Sequence, residues 1–378
     1  MPMVPVAPAG TGRLADVLAS CLASVRGESN PLGLPPLSHA VAVLVDGLGV
    51  ANLRSASGHA RHLSSRLTKR SVVHGVFPAT TAVGLGSFCT GADAGSHGLV
   101  GYRVLDAEHD RLVNQLSGWD EQMQPETWQP LPTVFERARN AGVPAFAVGP
   151  NRYADSGLTH ALLRGAEYRG ADSVSARFDT ARALLDETPR ALIYLYVPEL
   201  DMAAHARGWQ GAKWTSELEA LDAEIARFDA GLPPSTGVVL TADHGVIDVP
   251  EAKQVLFDTV PELVDGVRHV GGDPRCLYLY LEPGASADRL AEAWRGVEGH
   301  RSWVMTRAEA VREGLFGTVA PDVLPRIGDV IIAARAGIAY YDSREKNQSS
   351  RSMIGQHGSL TDEETRVPCI RLGGYAGY

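Results

Sequence analysis

The chain has 378 residues, 44% of them apolar and 21% charged, with a formal net charge of −9. That length can bury a sizeable core, and the composition is that of an ordinary soluble globular protein. The negative balance, without any lysine or arginine run, excludes a general nucleic-acid-binding surface, and no stretch approaches the roughly 20 apolar residues of a membrane span. Cys21, Cys89, Cys276 and Cys369 are far apart and form no CxxC pair, so buried free thiols are expected in place of a disulfide framework. The LASC run ending at Cys21 has the look of a lipoprotein cleavage site. Asp16 interrupts it, however, and no apolar segment of about 7–15 residues precedes it. A cytoplasmic location is therefore expected.

Taken in chain order, RLADVLASCLASV reads as an amphipathic helix with Leu14, Val17, Leu18, Cys21, Leu22 and Val25 on one side. AVAVLV (40–45) is a continuous apolar run, the signature of a parallel strand covered on both faces. TTAVGLGSFCTG, approached through Pro78, looks like the start of a helix. Helical patterns at 133–142 and 173–187 then alternate with strand patterns at 145–149, 191–197 and 237–241. Between the last two lies a helix around 213–230, in which Trp214, Leu218, Leu221, Ile225 and Phe228 form a core stripe. Such alternation predicts a doubly wound, mostly parallel sheet flanked by helices, with ligands bound beyond the carboxyl ends of the strands. From about 250 the texture changes to strand, helix, strand, helix, and GDVIIAAR (328–335) returns to a buried strand. Residues 250–345 are read as a small inserted α+β lobe, and 1–249 with 346–378 as the catalytic core.

Five short motifs carry chemistry, each just after an apolar run: Asp46 in VLVDGLG, Thr81 in FPATTAVG, Asp201 and His205 in PELDMAAHARG, Asp243 with His244 in LTADHGV, and His357 in GQHGS. Each has a bland alternative. Asp-Gly is a common turn pair, DxxxH can be a surface ion pair, and a threonine before a helix is often its cap. On a helix, however, Asp201 and His205 share one face, and Asp46, Asp201 and Asp243 all lie just past predicted strands. Oxygen and imidazole ligands in this mixture suit two zinc-like ions. A threonine hydroxyl needs metal coordination or a base to act as a nucleophile. The residue pattern by itself does not choose between Thr80 and Thr81.

Together these motifs resemble the alkaline phosphatase superfamily, and within it the nucleotide pyrophosphatase/phosphodiesterase family. FPATTAVGLGSFCTG followed by SHGLVGY is similar to that family's nucleophile segment, PELDMAAHARG to its PxxDxxxHxxG, ADHG to its Asp-His-Gly and GQHG to its final histidine motif. The resemblance implies an alkaline phosphatase-like core and a hydrolase of phosphodiester or pyrophosphate bonds working through a phosphothreonine at Thr81. It also implies two zinc ions, or manganese in their place: one held by Asp201, His205 and His357, the other by Asp46, Asp243, His244 and the Thr81 hydroxyl. Three carboxylates against two dications leave about +1, a field suited to an anionic phosphoryl group. The partner implied is a small phosphorylated or phosphonate substrate, with neither a nucleic-acid polymer nor a membrane.

Two positions depart from the family pattern. Tyr102 stands where diesterases often carry an asparagine on a phosphoryl oxygen, and Thr80 where many members have lysine. Tyr102 is a substrate-binding candidate because its phenol can donate a hydrogen bond. The alternatives are a phosphonoacetate-type carbon–phosphorus hydrolase, which shares the metal set and threonine, and a phosphomonoesterase, whose relatives use serine and a nearby arginine. A non-catalytic binding protein on the same fold is a further reading, against which stands the presence of all seven residues.

Overall fold

The computed structural model describes Pro5 and residues 10–378. Its centre is a seven-stranded sheet in the order Val72–His74, Arg366–Gly373, Thr236–Thr241, His39–Val45, Ala191–Val197, Ala145–Gly149, Glu167–Gly170. The last five of these run parallel to one another, and Arg366–Gly373 pairs antiparallel with both its neighbours. Every residue of His39–Val45 and Thr236–Thr241 is buried, as expected of strands with cover on both faces. The mostly parallel sheet and its flanking helices are the α/β architecture that the alternation predicts.

Local rules explain the elements. Helix Leu14–Arg26 buries the six residues of its expected stripe and stops at Gly27, whose φ of 73° is a left-handed cap. Helix Ala212–Ala230 buries Trp214, Leu218, Leu221, Ile225 and Phe228, each worth roughly 1.5–3 kcal/mol of transfer free energy. Thr133 caps Val134–Asn140 with a reciprocal capping box to Glu136. All four cysteines are buried and unpaired.

A second sheet is antiparallel, in the order Val267–Asp273, Cys276–Leu281, Val330–Ala334, Ser302–Thr306. Its period-two alternation divides it between two cores. Leu277, Leu279, Val330 and Ile332 pack with Leu290 and Trp294 of helix Ala287–Glu298, whereas Cys276, Tyr278, Tyr280, Ile331 and Ala333 join the core of the main sheet. Tyr278 donates to the Val100 carbonyl at 2.7 Å and Tyr280 to that of Arg326 at 2.6 Å, so the polar tips of these inward rings are satisfied.

Candidate active site

The site is built at the carboxyl ends of three adjacent strands. His39–Val45 aligns Val45 with Val197 on one side and Leu44 with Thr241 on the other. The residues that follow these ends therefore emerge side by side. Asp46 comes directly after the first strand and donates its backbone N–H to the Val197 carbonyl at 2.9 Å. Helix Glu199–Arg207 begins after the second and carries Asp201 and His205 one turn apart. Asp243 and His244 follow the third. His357 arrives from far along the chain, fixed by two short pairings: Gly355–Gln356 runs antiparallel to Ile247–Asp248, and Gly358 bridges Ala79.

Thr81 opens helix Thr81–Thr90, and Thr80 precedes it in extended conformation at the N-cap without a side-chain capping bond. Thr81 Oγ1 lies 3.2 Å from His244 Nε2. The helix can approach so closely because residue 84 is glycine: a Cβ there would sit 2.7 Å from Asp243 Cβ. Gly47, at φ 73°, and Gly245 serve the same end, since a Cβ at the former would lie 3.0 Å from Asp201 Oδ1 and at the latter 2.0 Å from the Glu363 carbonyl.

The seven residues form one continuous cluster. His205 Nε2 lies 3.2 Å from Asp201 Oδ2, and His357 Nε2 lies 3.3 Å from His205 Nε2 and 4.0 Å from Asp201 Oδ1. His244 Nε2 is 3.4 Å from Asp46 Oδ1 and 3.6 Å from Asp243 Oδ2. Two sets can each converge on a cation, Asp46–Asp243–His244 and Asp201–His244–His357. His244 belongs to both, and its ring stacks on that of His357 with centroids 3.7 Å apart.

Each imidazole is held by its other nitrogen. His205 Nδ1 bonds the Gly355 carbonyl at 2.7 Å, His357 Nδ1 that of Ala79 at 2.8 Å and His244 Nδ1 that of Gly245 at 3.2 Å. A carbonyl only accepts, so each Nδ1 carries a hydrogen, and in a neutral ring each Nε2 turns a lone pair into the cluster. In neutral rings the Nε2 atoms of His205 and His357 would then face each other lone pair to lone pair. Asp46 Oδ1, Asp201 Oδ1 and Asp243 Oδ2 are buried without a hydrogen-bond partner. Cations would satisfy the bare oxygens and opposed nitrogens together, so these residues fit divalent ions bound by oxygen and nitrogen.

The electrostatics carry the same strain. Burial, then the charges of Asp243 and Asp201, push the Asp46 carboxyl well above the usual carboxylate range. Burial raises Asp243 also, against the pull of His244. For Asp201, burial is outweighed by the charge and hydrogen bond of His205, which hold it below that range. Burial draws His205 down, but Asp201 lifts it to about 8; burial and the charge of His244 keep His357 well below its ordinary value.

Tyr102 lines the pocket beside the cluster, a cavity of about 590 Å³ that also reaches Thr80, Thr81, Asp46, Asp201 and His205. Two residues absent from the sequence reading also belong here. Tyr196 donates a short hydrogen bond to Asp46 Oδ2, and Asp273, at the end of its strand in the second sheet, lines the pocket with Oδ2 buried and unpartnered. Burial lifts the Asp273 carboxyl to about 8. Nothing in the apolar run ALIYLYV singles out Tyr196. Asp273 stands before Pro274, and Asp-Pro reads as nothing more than a turn.

No helix is long and apolar enough to cross a membrane among the described residues. By similarity, phosphopentomutase of Sinorhizobium medicae (strain WSM419) is 33% identical over 171 residues, 41% of this chain and 40% of that protein. Phosphopentomutase of Anaeromyxobacter dehalogenans (strain 2CP-C) is 31% identical over 159 residues, 42% of this chain and 39% of that protein. The chain thus spans about two fifths of the length of these curated relatives. Among solved structures, phosphonoacetate hydrolase from Sinorhizobium meliloti 1021 in complex with phosphonoformate superposes with TM-score 0.68 at 21% identity, covering 89% of this chain and 91% of that one. Murine ectonucleotide pyrophosphatase/phosphodiesterase 5 superposes with TM-score 0.64 at 16% identity, covering 88% of each. Both share the fold. Residues 40–360 match the family described as type I phosphodiesterase/nucleotide pyrophosphatase. That span runs from the first central strand past His357, and the chain is a member of this family.

Proposed function

We propose that the protein is a metal-dependent phosphodiesterase or pyrophosphatase in which Thr81 is the nucleophile and two zinc ions, or manganese in their place, occupy the cluster. The observation that carries this reading is the Thr81 hydroxyl at the head of a helix, 3.2 Å from His244 Nε2, beside three buried carboxylate oxygens without partners. Divalent ions bound there supply positive charge for the phosphoryl oxygens and lower the pKa of the hydroxyl they contact.

The protein's own groups do the rest. The first-turn N–H groups of Thr81–Thr90 have no intrahelical acceptor and present the positive end of the helix dipole to a phosphoryl oxygen. Thr81 Oγ1 and His244 Nε2 lie 3.2 Å apart, so an ion held by His244 would also meet the hydroxyl. The Thr81 hydroxyl gives its proton to water, Oγ1 bonds phosphorus as the opposite ester bond breaks, and the leaving oxygen keeps that bond's electron pair and takes up a proton from water. Water then hydrolyses the phosphothreonine. Tyr102, at the pocket wall, is placed to donate its phenol hydrogen to the substrate. The inserted lobe, 250–345, contributes Asp273 to this pocket.

The test is kcat/KM on the zinc-loaded protein for an aryl phosphodiester and the matching monoester. The expected result is diester preference, with both activities lost in Thr81→Ala. Monoester preference would move the assignment to a phosphomonoesterase, and full activity in Thr81→Ala would remove the nucleophile.

A further inference from the structure

The pocket beside the cluster has walls of an unusual kind for an anion-binding enzyme. Among the described residues, no lysine or arginine lines it. Away from the carboxylates and imidazoles, its surface comes from Leu116, Trp119, Tyr153, Leu158, Leu162 and Met202 among others. Leu158 and Leu162 are buried at the back, whereas Leu116 and Met202 stand exposed at 36% and 47%. Arg152 is not among the lining residues; its guanidinium lies over the Tyr153 ring, 4.8 Å from the centroid, and donates to Met202 Sδ at 3.0 Å. Trp119 Nε1 is buried on this side without a partner, and two other polar groups are engaged. Tyr168 donates to the Pro150 carbonyl at 2.8 Å, and the Thr159 hydroxyl to that of Tyr153 at 2.6 Å.

A second anionic group on the substrate would have to leave water for this surface without a cation to meet it. Leaving water is costly for a carboxylate or phosphate that meets no cation there. An alkyl or aryl group instead gains free energy in proportion to the apolar area it buries. We infer that the pocket selects phosphodiesters in which one ester substituent is an uncharged alkyl or aryl group, and rejects substrates with a second charged group such as a carboxylate or another phosphate. This rests on the reading of the seven-residue cluster as the phosphoryl site.

The experiment uses the zinc-loaded full chain and p-nitrophenyl phosphodiesters whose second ester is methyl, butyl or octyl, with phosphonoacetate and ATP assayed alongside. Each buried methylene should raise kcat/KM by about three- to four-fold while it finds wall to cover. The octyl ester should therefore exceed the methyl ester by far more than tenfold, and phosphonoacetate and ATP should be poor. Leu116→Lys, at an exposed wall position that places no burden on folding, should flatten the series. Calorimetric Kd values for methylphosphonate and octylphosphonate on Thr81→Ala give a readout without turnover, and octylphosphonate should bind at least tenfold more tightly. A flat or falling ester series, equal phosphonate affinities, or phosphonoacetate or ATP turned over as well as the octyl ester would overturn the inference. Tighter octylphosphonate binding without hydrolysis of any ester would instead leave the pocket assignment standing and remove the proposed activity.

Discussion

Arg275 and Glu364 form a fully buried ion pair: Arg275 Nε and Nη2 reach the two carboxylate oxygens at 2.8 and 2.7 Å, and both side chains have no exposure. Arg275 also donates to the Ala336 and Ile338 carbonyls, while Glu364 accepts from the Ser359 N–H and the Thr361 hydroxyl. The pair clamps the turn between Val267–Asp273 and Cys276–Leu281 to the helical turn Asp362–Thr365 that follows His357. Removing one partner strands the other charge. Arg275→Met or Glu364→Leu alone is expected to cost about 3–5 kcal/mol, and the double replacement less than their sum. Urea denaturation of the three variants measures this.

Thr81→Ala should lower kcat on an aryl phosphodiester by on the order of 10³-fold or more while leaving the fold intact, because the hydroxyl supports no structural bond other than that to His244. Thr81→Ser should keep measurable turnover. Single-turnover quenching with a radiolabelled diester should trap label on wild-type protein only. A Thr80→Ala variant that lost activity while Thr81→Ala kept it would reverse the assignment.

Tyr196→Phe removes the hydrogen bond that fixes Asp46 Oδ2 without touching any residue of the two convergent sets. Loss of such an outer partner weakens metal binding by roughly 10–100-fold. Zinc titration against a competing chelator should show that drop, with kcat at saturating zinc changed much less.

Asp273 makes the metal-free fold sensitive to pH. Its carboxyl is raised to about 8 in the folded protein by burial, whereas in the unfolded chain it titrates near about 3.9. Between those values the folded state holds a proton that the unfolded state has released, so its contribution to stability falls as pH rises. Asp273→Asn removes that slope. The variant's Tm should match wild type near pH 4 and exceed it near pH 8, measured without metal.

The sequence made the central strands and the cluster legible because each lies in a local pattern. AVAVLV and ALIYLYV are apolar throughout, and His39–Val45 and Ala191–Val197 follow them; Asp201 and His205 advertise one helical face. Arg366–Gly373 was not legible. Its sequence RVPCIRLG breaks the apolar run with Pro368 and Arg371, yet it pairs with Thr236–Thr241 at the antiparallel side of the sheet. Asp273 was hidden for a different reason: only the folding of Cys276, Tyr278 and Tyr280 onto the main core brings that strand end to the pocket. The close packing that requires glycine at 84 and 245 emerges only from the backbone and carboxylate that occupy the space of a Cβ.

The distance along the chain between Asp46 and His357 has a bearing on biosynthesis. A ribosome delivers the first acid of the cluster long before the last imidazole, and the Ala79 carbonyl lies 278 residues ahead of its His357 partner. Contacts of such sequence separation are slow to form. Until they do, the bare carboxylates of Asp46 and Asp243 lie beside a helix head with no closing imidazole. A nascent chain halted before the GQHGS segment therefore lacks the ring that stacks on His244 and completes the Asp201–His244–His357 set.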